Sequence, residues 1–424
     1  MKLSPLLSVA LLAACATQAP APVVAQSSTQ TPPASAPAPV ADDRTDTREG
    51  RFQAWKSSKL ADLSARFDPA LVARVVGPMA LRPQVVERDT NQPEFVRPVW
   101  GYIDSAVTPS RLEPGRENLV AYDDVFRRVG ERYRVDPEYL TAIWGLETSY
   151  GANMGGNALV DAFGTLGFEG RRAEFFSTQL DTLVELVAEG KLAEDQLVGS
   201  WAGATGQTQF IPTTIRDYAV DMDGNGRFDL RESELDALGS AAHYLSRSGW
   251  VAGQPAMVEV ALPDGFDYGL GDGRTVRSVG EWLRLGVQPS SEYLGDPSLL
   301  NASYEAKLLV PAGARGPKFL LLKNFDVIKR YNPSTSYAMG ITALAETLKG
   351  RDPIRAAWPR DDRPLTSDDN RALQARLNQL GYDVGEVDGI VGPATRSAVR
   401  DWQRANGLVP DGYLEQGLLA RILG

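Results

Sequence analysis

The run D-P-E-Y-L-T-A-I-W-G-L-E-T-S-Y-G, residues 136–151, carries its own punctuation. Asp136 suits a helix N-cap, and Pro137 suits the first helical position, where a missing N–H costs nothing. Glu138 falls in the first turn, which favours negative charge, and Gly151 suits a stop. Tyr139, Leu140, Ile143 and Trp144 recur at helical spacing and define one apolar face. The spacing predicts a buried helix on which the rest of the fold is assembled.

Glu147 lies on that same stripe, four residues after Ile143 and seven after Leu140. Burial raises a carboxyl pKa, and so does the negative end of a helix dipole. Both effects keep the group protonated near neutral pH, as a general acid requires. A buried Glu paired with an arginine would occupy the same position in a purely structural role. The helix alone leaves both readings open.

Composition narrows the chemistry. The 424 residues have room for two or three domains. A net charge of −10 argues against a nucleic-acid partner. Aromatic residues are 8% of the chain, and several Trp and Tyr sit beside polar residues, as sugar-binding clefts need. There is one histidine, His243, and one cysteine, Cys15, which excludes zinc sites of the His/Cys kind and H-E-x-x-H. A Cys–His nucleophile fails because Cys15 lies in the leader, and nothing around His243 supports a Ser–His–Asp triad. The chemistry must run on carboxylates, hydroxyls or amides.

Upstream, residues 1–15 read as a secretory leader, with Lys2 before an apolar core, Leu3 to Leu12, too short to span a bilayer. Its end, L-A-A-C, resembles a bacterial lipoprotein signal, which would place a lipid on Cys15; the alternative is an ordinary leader that contains a cysteine. Ala16 in place of Asp resembles signals sorted to the outer membrane. Residues 16–48, rich in Pro, Ala, Gln, Ser and Thr, cannot bury a core and read as a disordered tether.

The pattern is globular from 49 to 355. Phe52, Trp55, Leu60 and Leu63 begin helical segments; Leu119, Tyr122, Val125, Phe126 and Val129 make one amphipathic helix, and Arg171–Leu192, Leu235–Leu245 and Tyr337–Leu348 make others. Between them Val258, Val260 and Leu262 alternate with polar or small residues, and Ala306–Val310 and Phe319–Leu322 also read as strands. Residues 356–363 read as a linker. Residues 364–424 form a compact unit, with Leu373, Leu377 and Leu380 on one helix, Ala398, Val399 and Trp402 on a second, and Asp388-Gly389 and Asp411-Gly412 as turn signals.

Two further stretches carry amides, hydroxyls and aromatic rings: S-W-A-G-A-T-G-Q-T-Q-F-I-P from Ser200 and R-Y-N-P-S-T-S-Y-A-M from Arg330. A third, D-M-D-G-N-G-R-F-D-L-R-E from Asp221 to Glu232, fits the calcium-loop pattern in full. The alternative is an Asp/Gly-rich surface turn. One such loop suits a structural ion better than a paired sensor.

Taken together, I-W-G-L-E-T-S-Y-G, W-A-G-A-T-G-Q-T-Q-F-I-P, the Asp221 loop followed by D-A-L-G-S-A-A-H-Y-L, and Y-N-P-S-T-S-Y-A-M resemble the membrane-bound lytic murein transglycosylase B family, in order from Phe52 to Leu348. The C-terminal unit resembles small three-helix peptidoglycan-binding domains. The resemblance implies an α+β, mainly α architecture: a lysozyme-like catalytic domain with a small antiparallel sheet insertion, plus a three-helix C-terminal domain. It implies cleavage of the β-1,4 bond between N-acetylmuramic acid and N-acetylglucosamine with 1,6-anhydromuramoyl ends, by one acid/base, Glu147. It places Ser200, Gln209, Tyr244, Tyr331, Asn332 and Tyr337 along the glycan cleft and Arg171 and Arg172 near the stem peptide. For calcium it implies Asp221, Asp223, Asn225 and the Arg227 carbonyl, closed by Asp236, where the generic loop rule points to Glu232. No cofactor is needed for the chemistry. The partners expected are glycan strands, stem peptides and, through the lipid, a membrane; a periplasm-facing outer-membrane monomer is the expectation. A lysozyme-type hydrolase and a non-catalytic wall-binding lipoprotein are the competing readings.

Overall fold

The computed structural model describes residues 47–90, 98–289 and 300–424. The leader, Cys15 and the tether as far as residue 46 lie outside the described residues. The first helix, Arg48–Ser64, starts one residue before the expected globular boundary, because the Thr47 hydroxyl accepts from Gly50 N and caps it.

Two helical cores lie side by side. One gathers Phe52, Leu63, Phe163, Phe176, Leu180, Leu183 and Phe210 around the Leu159–Glu169 and Ala173–Ala188 helices. The other gathers Leu140, Ile143, Trp144, Leu238, Phe325, Met339 and Leu344 around the Pro137–Thr148 and Thr335–Leu348 helices. Fully burying a side chain such as Ile143 or Leu140 contributes roughly 1.5–3 kcal/mol. Tyr244 and Tyr331, both half-buried, pack against both cores and so stand at their seam.

The sheet insertion has five antiparallel strands in the order Asp272–Ser278, Glu305–Leu309, Lys318–Leu321, Met257–Ala261, Gln288–Pro289. Its pleat sends alternate residues to opposite sides. Met257, Phe319 and Leu321 face the second helical core, and Val258, Val260, Leu308 and Leu320 form a separate core with Val279 and Trp282. Three strands coincide with the alternating segments of the sequence. The outer two do not, since Asp272–Ser278 is largely polar and Gln288–Pro289 is two residues long.

Two helix expectations are corrected. The single helix through Leu119 to Val129 is two, Pro109–Ala121 and Asp123–Tyr133, broken at Tyr122, whose ring meets Trp144 edge-on at 5.4 Å. The helix drawn over Arg171–Leu192 covers Ala173–Ala188.

The C-terminal unit has three helices, Ser367–Gln379, Pro393–Ala405 and Gln416–Leu423, closed over Leu373, Leu377, Val399, Trp402 and Leu419. The segment 356–363 has neither helix nor strand but is pinned. The buried Glu259 carboxylate accepts from Arg355 N and Ala356 N at 2.9 Å each, and Trp358 packs on Trp100 at 5.8 Å.

Candidate active site

The Pro137–Thr148 helix begins as its sequence dictates, with Pro137 in its first turn, but Asp136 makes no capping hydrogen bond with its side chain; Asp136 Oδ1 lies 3.4 Å from Lys349 Nζ instead. The helix stops before Gly151. Ser149 and Tyr150 already adopt left-handed backbones, φ 51° and 62°. What holds Tyr150 there is visible: its hydroxyl donates to Arg111 O at 2.6 Å, and its ring meets Trp144 edge-on at 5.5 Å. Gly145 makes room, since a Cβ there would lie 2.7 Å from the Tyr150 ring. Such strain persists only where the surroundings enforce it.

Glu147, one residue before the last of this helix, is buried at 7% exposure. Its Oε1 accepts from the Tyr337 hydroxyl at 2.6 Å, and Oε2 takes no hydrogen bond from any described residue. No cation among the described residues pairs with it. Burial pushes its pKa up to about 7 from 4.5, against a smaller lowering by the Tyr337 hydrogen bond. The Tyr337 hydroxyl is held well above its usual range, first by burial and then by the neighbouring Glu147 charge, so it stays a donor.

A second buried glutamate gives the contrast. Glu346 is fully buried, yet Arg351 Nη1 lies 2.7 Å from it, Lys349 Nζ 3.6 Å, and the Tyr139 hydroxyl donates at 3.0 Å. That is the structural arrangement a buried acid normally adopts. Glu147 lacks it, so the arginine-paired arrangement is not the one it adopts.

The Ser200–Pro212 stretch folds as a tight hairpin beside Glu147. Thr205 N donates to Phe210 O at 2.8 Å and Phe210 N returns to Thr205 O at 2.9 Å. Gly203, at φ 93°, lies so close to Phe163 that a Cβ would come within 2.0 Å of the ring. The hairpin tip is tied to its surroundings at several points, among them Gln207 N on Leu230 O at 2.8 Å. Thr148 Oγ1 donates to Gln207 O at 2.6 Å, and the Tyr331 hydroxyl donates to Thr208 O. Gln209 sits at φ 55°, with Nε2 donating to Gly206 O at 2.9 Å. Ser200 Oγ accepts from Ala204 N at 3.0 Å, which steadies the base of the hairpin.

Tyrosines line the seam. Tyr244 meets Tyr331 at 5.2 Å and Tyr218 at 4.6 Å, and its hydroxyl donates to Arg330 O at 2.7 Å. The buried Asn332 accepts from Ser334 N at 3.0 Å, and Ser334 in turn caps the helix that carries Tyr337. Thus Glu147, Gln209, Tyr244, Tyr331, Asn332 and Tyr337 are tied into one framework by hydrogen bonds and ring contacts, with Ser200 at its edge. Arg171 and Arg172 are tied elsewhere, to the buried Asp89 at 3.2 and 3.4 Å. Thr148, Tyr150 and Arg111 escaped the sequence reading. Their roles depend on long-range pairing that periodicity does not encode.

The Asp221 loop offers a cation set. Carboxylate oxygens of Asp221, Asp223 and Asp236 lie within 4.8 Å of one another. Asp236 reaches in from the first turn of the Glu234–Arg247 helix and accepts from Met222 N at 2.8 Å. Asn225 Oδ1 accepts from Arg227 N at 2.9 Å. Glu232 is not part of the cluster. Three clustered carboxylates with one buried among them suit a hard divalent ion.

Residues 51–346 match the transglycosylase SLT domain family, and residues 366–422 match a peptidoglycan binding domain family. Membrane-bound lytic murein transglycosylase B of Escherichia coli is 33% identical over 253 residues, 58% of this chain and 66% of that protein, so the match spans just under two thirds of that relative. SltB3 of Pseudomonas aeruginosa, solved in complex with NAG-NAM-pentapeptide, has a TM-score of 0.80 at 42% identity over 88% of this chain and 99% of its own. Escherichia coli Slt35, solved in complex with calcium, has a TM-score of 0.60 at 29% identity over 72% and 94%. The first match runs through the glutamate helix, the hairpin and both tyrosine-bearing segments, and the chain belongs to the transglycosylase SLT domain family.

Proposed function

We propose that this chain is a lytic transglycosylase that cleaves the β-1,4 bond between N-acetylmuramic acid and N-acetylglucosamine and leaves 1,6-anhydromuramoyl ends. The observation that carries the reading is a buried carboxyl with a pKa of about 7, no cationic partner among the described residues, and one tyrosine hydrogen bond. An ordinary glycosidase divides the work between two carboxylates. Here Glu147 performs both halves. Protonated, it gives its proton to the bridging oxygen as the C1–O bond breaks. The substrate's own N-acetyl oxygen supports the positive anomeric carbon. The carboxylate so formed then takes the proton from the muramoyl 6-hydroxyl as that oxygen closes on C1, and Glu147 returns to its starting form. Tyr337 holds Oε1, leaving Oε2 for the proton traffic. Exclusion of water from the groove favours the internal hydroxyl as acceptor.

Ser200, Gln209, Tyr244, Tyr331 and Asn332 bind the glycan. Arg171 and Arg172 bind stem-peptide carboxylates; a guanidinium has five donors, so the pairing with Asp89 leaves several to spare. Asp221, Asp223, Asn225, the Arg227 carbonyl and Asp236 hold a calcium ion that pins the loop and takes no part in the reaction. A lipid on Cys15 anchors the chain in the outer membrane facing the periplasm, as a monomer; no helix among the described residues is long and apolar enough to cross a membrane. The test is Glu147→Gln, which keeps shape and the Tyr337 hydrogen bond but carries no transferable proton. Muropeptide release should fall by at least about a hundredfold. A variant that keeps its rate overturns the assignment.

A further inference from the structure

The C-terminal unit builds the same clamp twice. Gln374, buried, grips the Asp-Gly turn that follows its helix: Nε2 donates to Asp388 Oδ1 at 3.0 Å, Oε1 accepts from Gly389 N at 2.8 Å, and Ile390 N closes on Asp388 Oδ1 at 2.7 Å. Gln403, also buried, grips the next one: Nε2 donates to Asp411 Oδ1 at 2.8 Å, Oε1 accepts from Gly412 N at 2.8 Å, and Tyr413 N closes on Asp411 Oδ1 at 3.0 Å. Both glycines are left-handed, φ 80° and 66°. A Cβ on either would strike the carbonyl of the residue seven before its glutamine, Ser367 at 2.9 Å and Arg396 at 3.0 Å. The two turns are quasi-equivalent in sequence and in geometry.

Their occupancy differs. The second turn holds a piece of the catalytic body, Ala312-Gly313-Ala314. Ala314 N donates to Asp411 Oδ2 at 2.8 Å. Gly313 lies so flat on the turn that a Cβ would meet Asp411 Oδ2 at 2.6 Å and Tyr413 Cβ at 2.7 Å. At the first turn Asp388 is exposed, and its Oδ2 takes no hydrogen bond from any described residue. Beside it stand two bare aliphatic side chains, Ile390 at 71% and Val387 at 43% exposure. A fixed carboxylate oxygen next to an apolar surface is what the second turn uses to hold a small-residue peptide through its backbone N–H, a charge-assisted hydrogen bond.

We propose that the first Asp-Gly turn is a peptide-binding site, and that the second is the latch that holds the unit against the catalytic body. The site takes a short alanine-bearing peptide, with a backbone N–H on Asp388 Oδ2 and a small side chain against Val387 and Ile390. The inference rests on the peptidoglycan reading only for the source of that peptide, the stem peptides of the wall.

The test titrates the full chain with stem peptide freed from glycan and, separately, with peptide-free glycan. Asp388→Asn keeps an oxygen for Gln374 and Ile390 but puts an amide N–H where the free oxygen stood, and it should weaken peptide binding about tenfold or more. Ile390→Ser, at a side chain with no structural duty, should weaken it too. Asp401→Asn, an exposed acid on the next helix, should leave it unchanged. Asp388→Asn and Ile390→Ser proteins that bind as wild type overturn the inference, and so does peptide-free glycan that binds as well as the peptide. The wild-type sample is also assayed for anhydro-ended products. Such products without peptide binding at this turn overturn this inference alone. Peptide binding through Asp388 without such products upholds it and overturns the catalytic reading instead.

Discussion

At the scale of single residues, what matters is that Glu147 is buried without a cation while Glu346, also buried, has two. Burial holds the first with a pKa of about 7, while the second is held by its ion pairs. The sign of the pH dependence follows. In the proposed mechanism the reaction starts from protonated Glu147, so kcat/KM should be level at low pH and fall as pH rises through about 7, with no second carboxylate to give an acid limb. Tyr337 lowers that pKa by hydrogen bonding the ionised form, so Tyr337→Phe should move the falling limb to higher pH and cost about 1 kcal/mol or more of stability. A pH–rate profile of both proteins checks it; a limb that stays in place detaches Tyr337 from the acid. The Glu147 stripe was legible from helical spacing alone. Its tyrosine partner, 190 residues away, came from the motif resemblance, and the absence of a cation needed the folded chain.

At the scale of elements, the glutamate helix is positioned by how it ends. Gly145 admits the Tyr150 ring, which fixes the left-handed turn after Thr148. Gly145→Ala sets two effects against each other. Alanine gains about 1 kcal/mol of helix propensity, while overpacking costs about 1–3 kcal/mol. With a Cβ 2.7 Å from the ring, overpacking should win, lowering the melting temperature and reducing kcat more than KM. A variant more stable than wild type and fully active contradicts this account of the helix end. The Asp221 loop makes its own prediction. Calcium added to a chelator-treated sample should raise the melting temperature by several degrees, Asp236→Asn should remove most of the rise, and Glu232→Gln should keep it. A loop indifferent to calcium would be only a turn. Elements with strong alternation or helical stripes were readable in the sequence. The edge strand Asp272–Ser278 was not, because a strand with one neighbour need not be apolar on either face.

At the scale of the whole molecule, two helical cores meet at Tyr244 and Tyr331, and the acid lies beside that seam. The sheet backs the second core from the side, and the C-terminal unit is latched on through Asp411 and a pinned connector. Composition marked the connector and the three-helix unit, but not that Glu259 would hold the one or Ala314 the other; such contacts join distant parts of the chain and leave no local signature. The central claim concerns the acceptor at the anomeric carbon. Purified peptidoglycan digested with the enzyme and weighed by mass spectrometry tests it most directly: 1,6-anhydromuramoyl ends are predicted, and reducing muramic acid ends, heavier by one water, would contradict it.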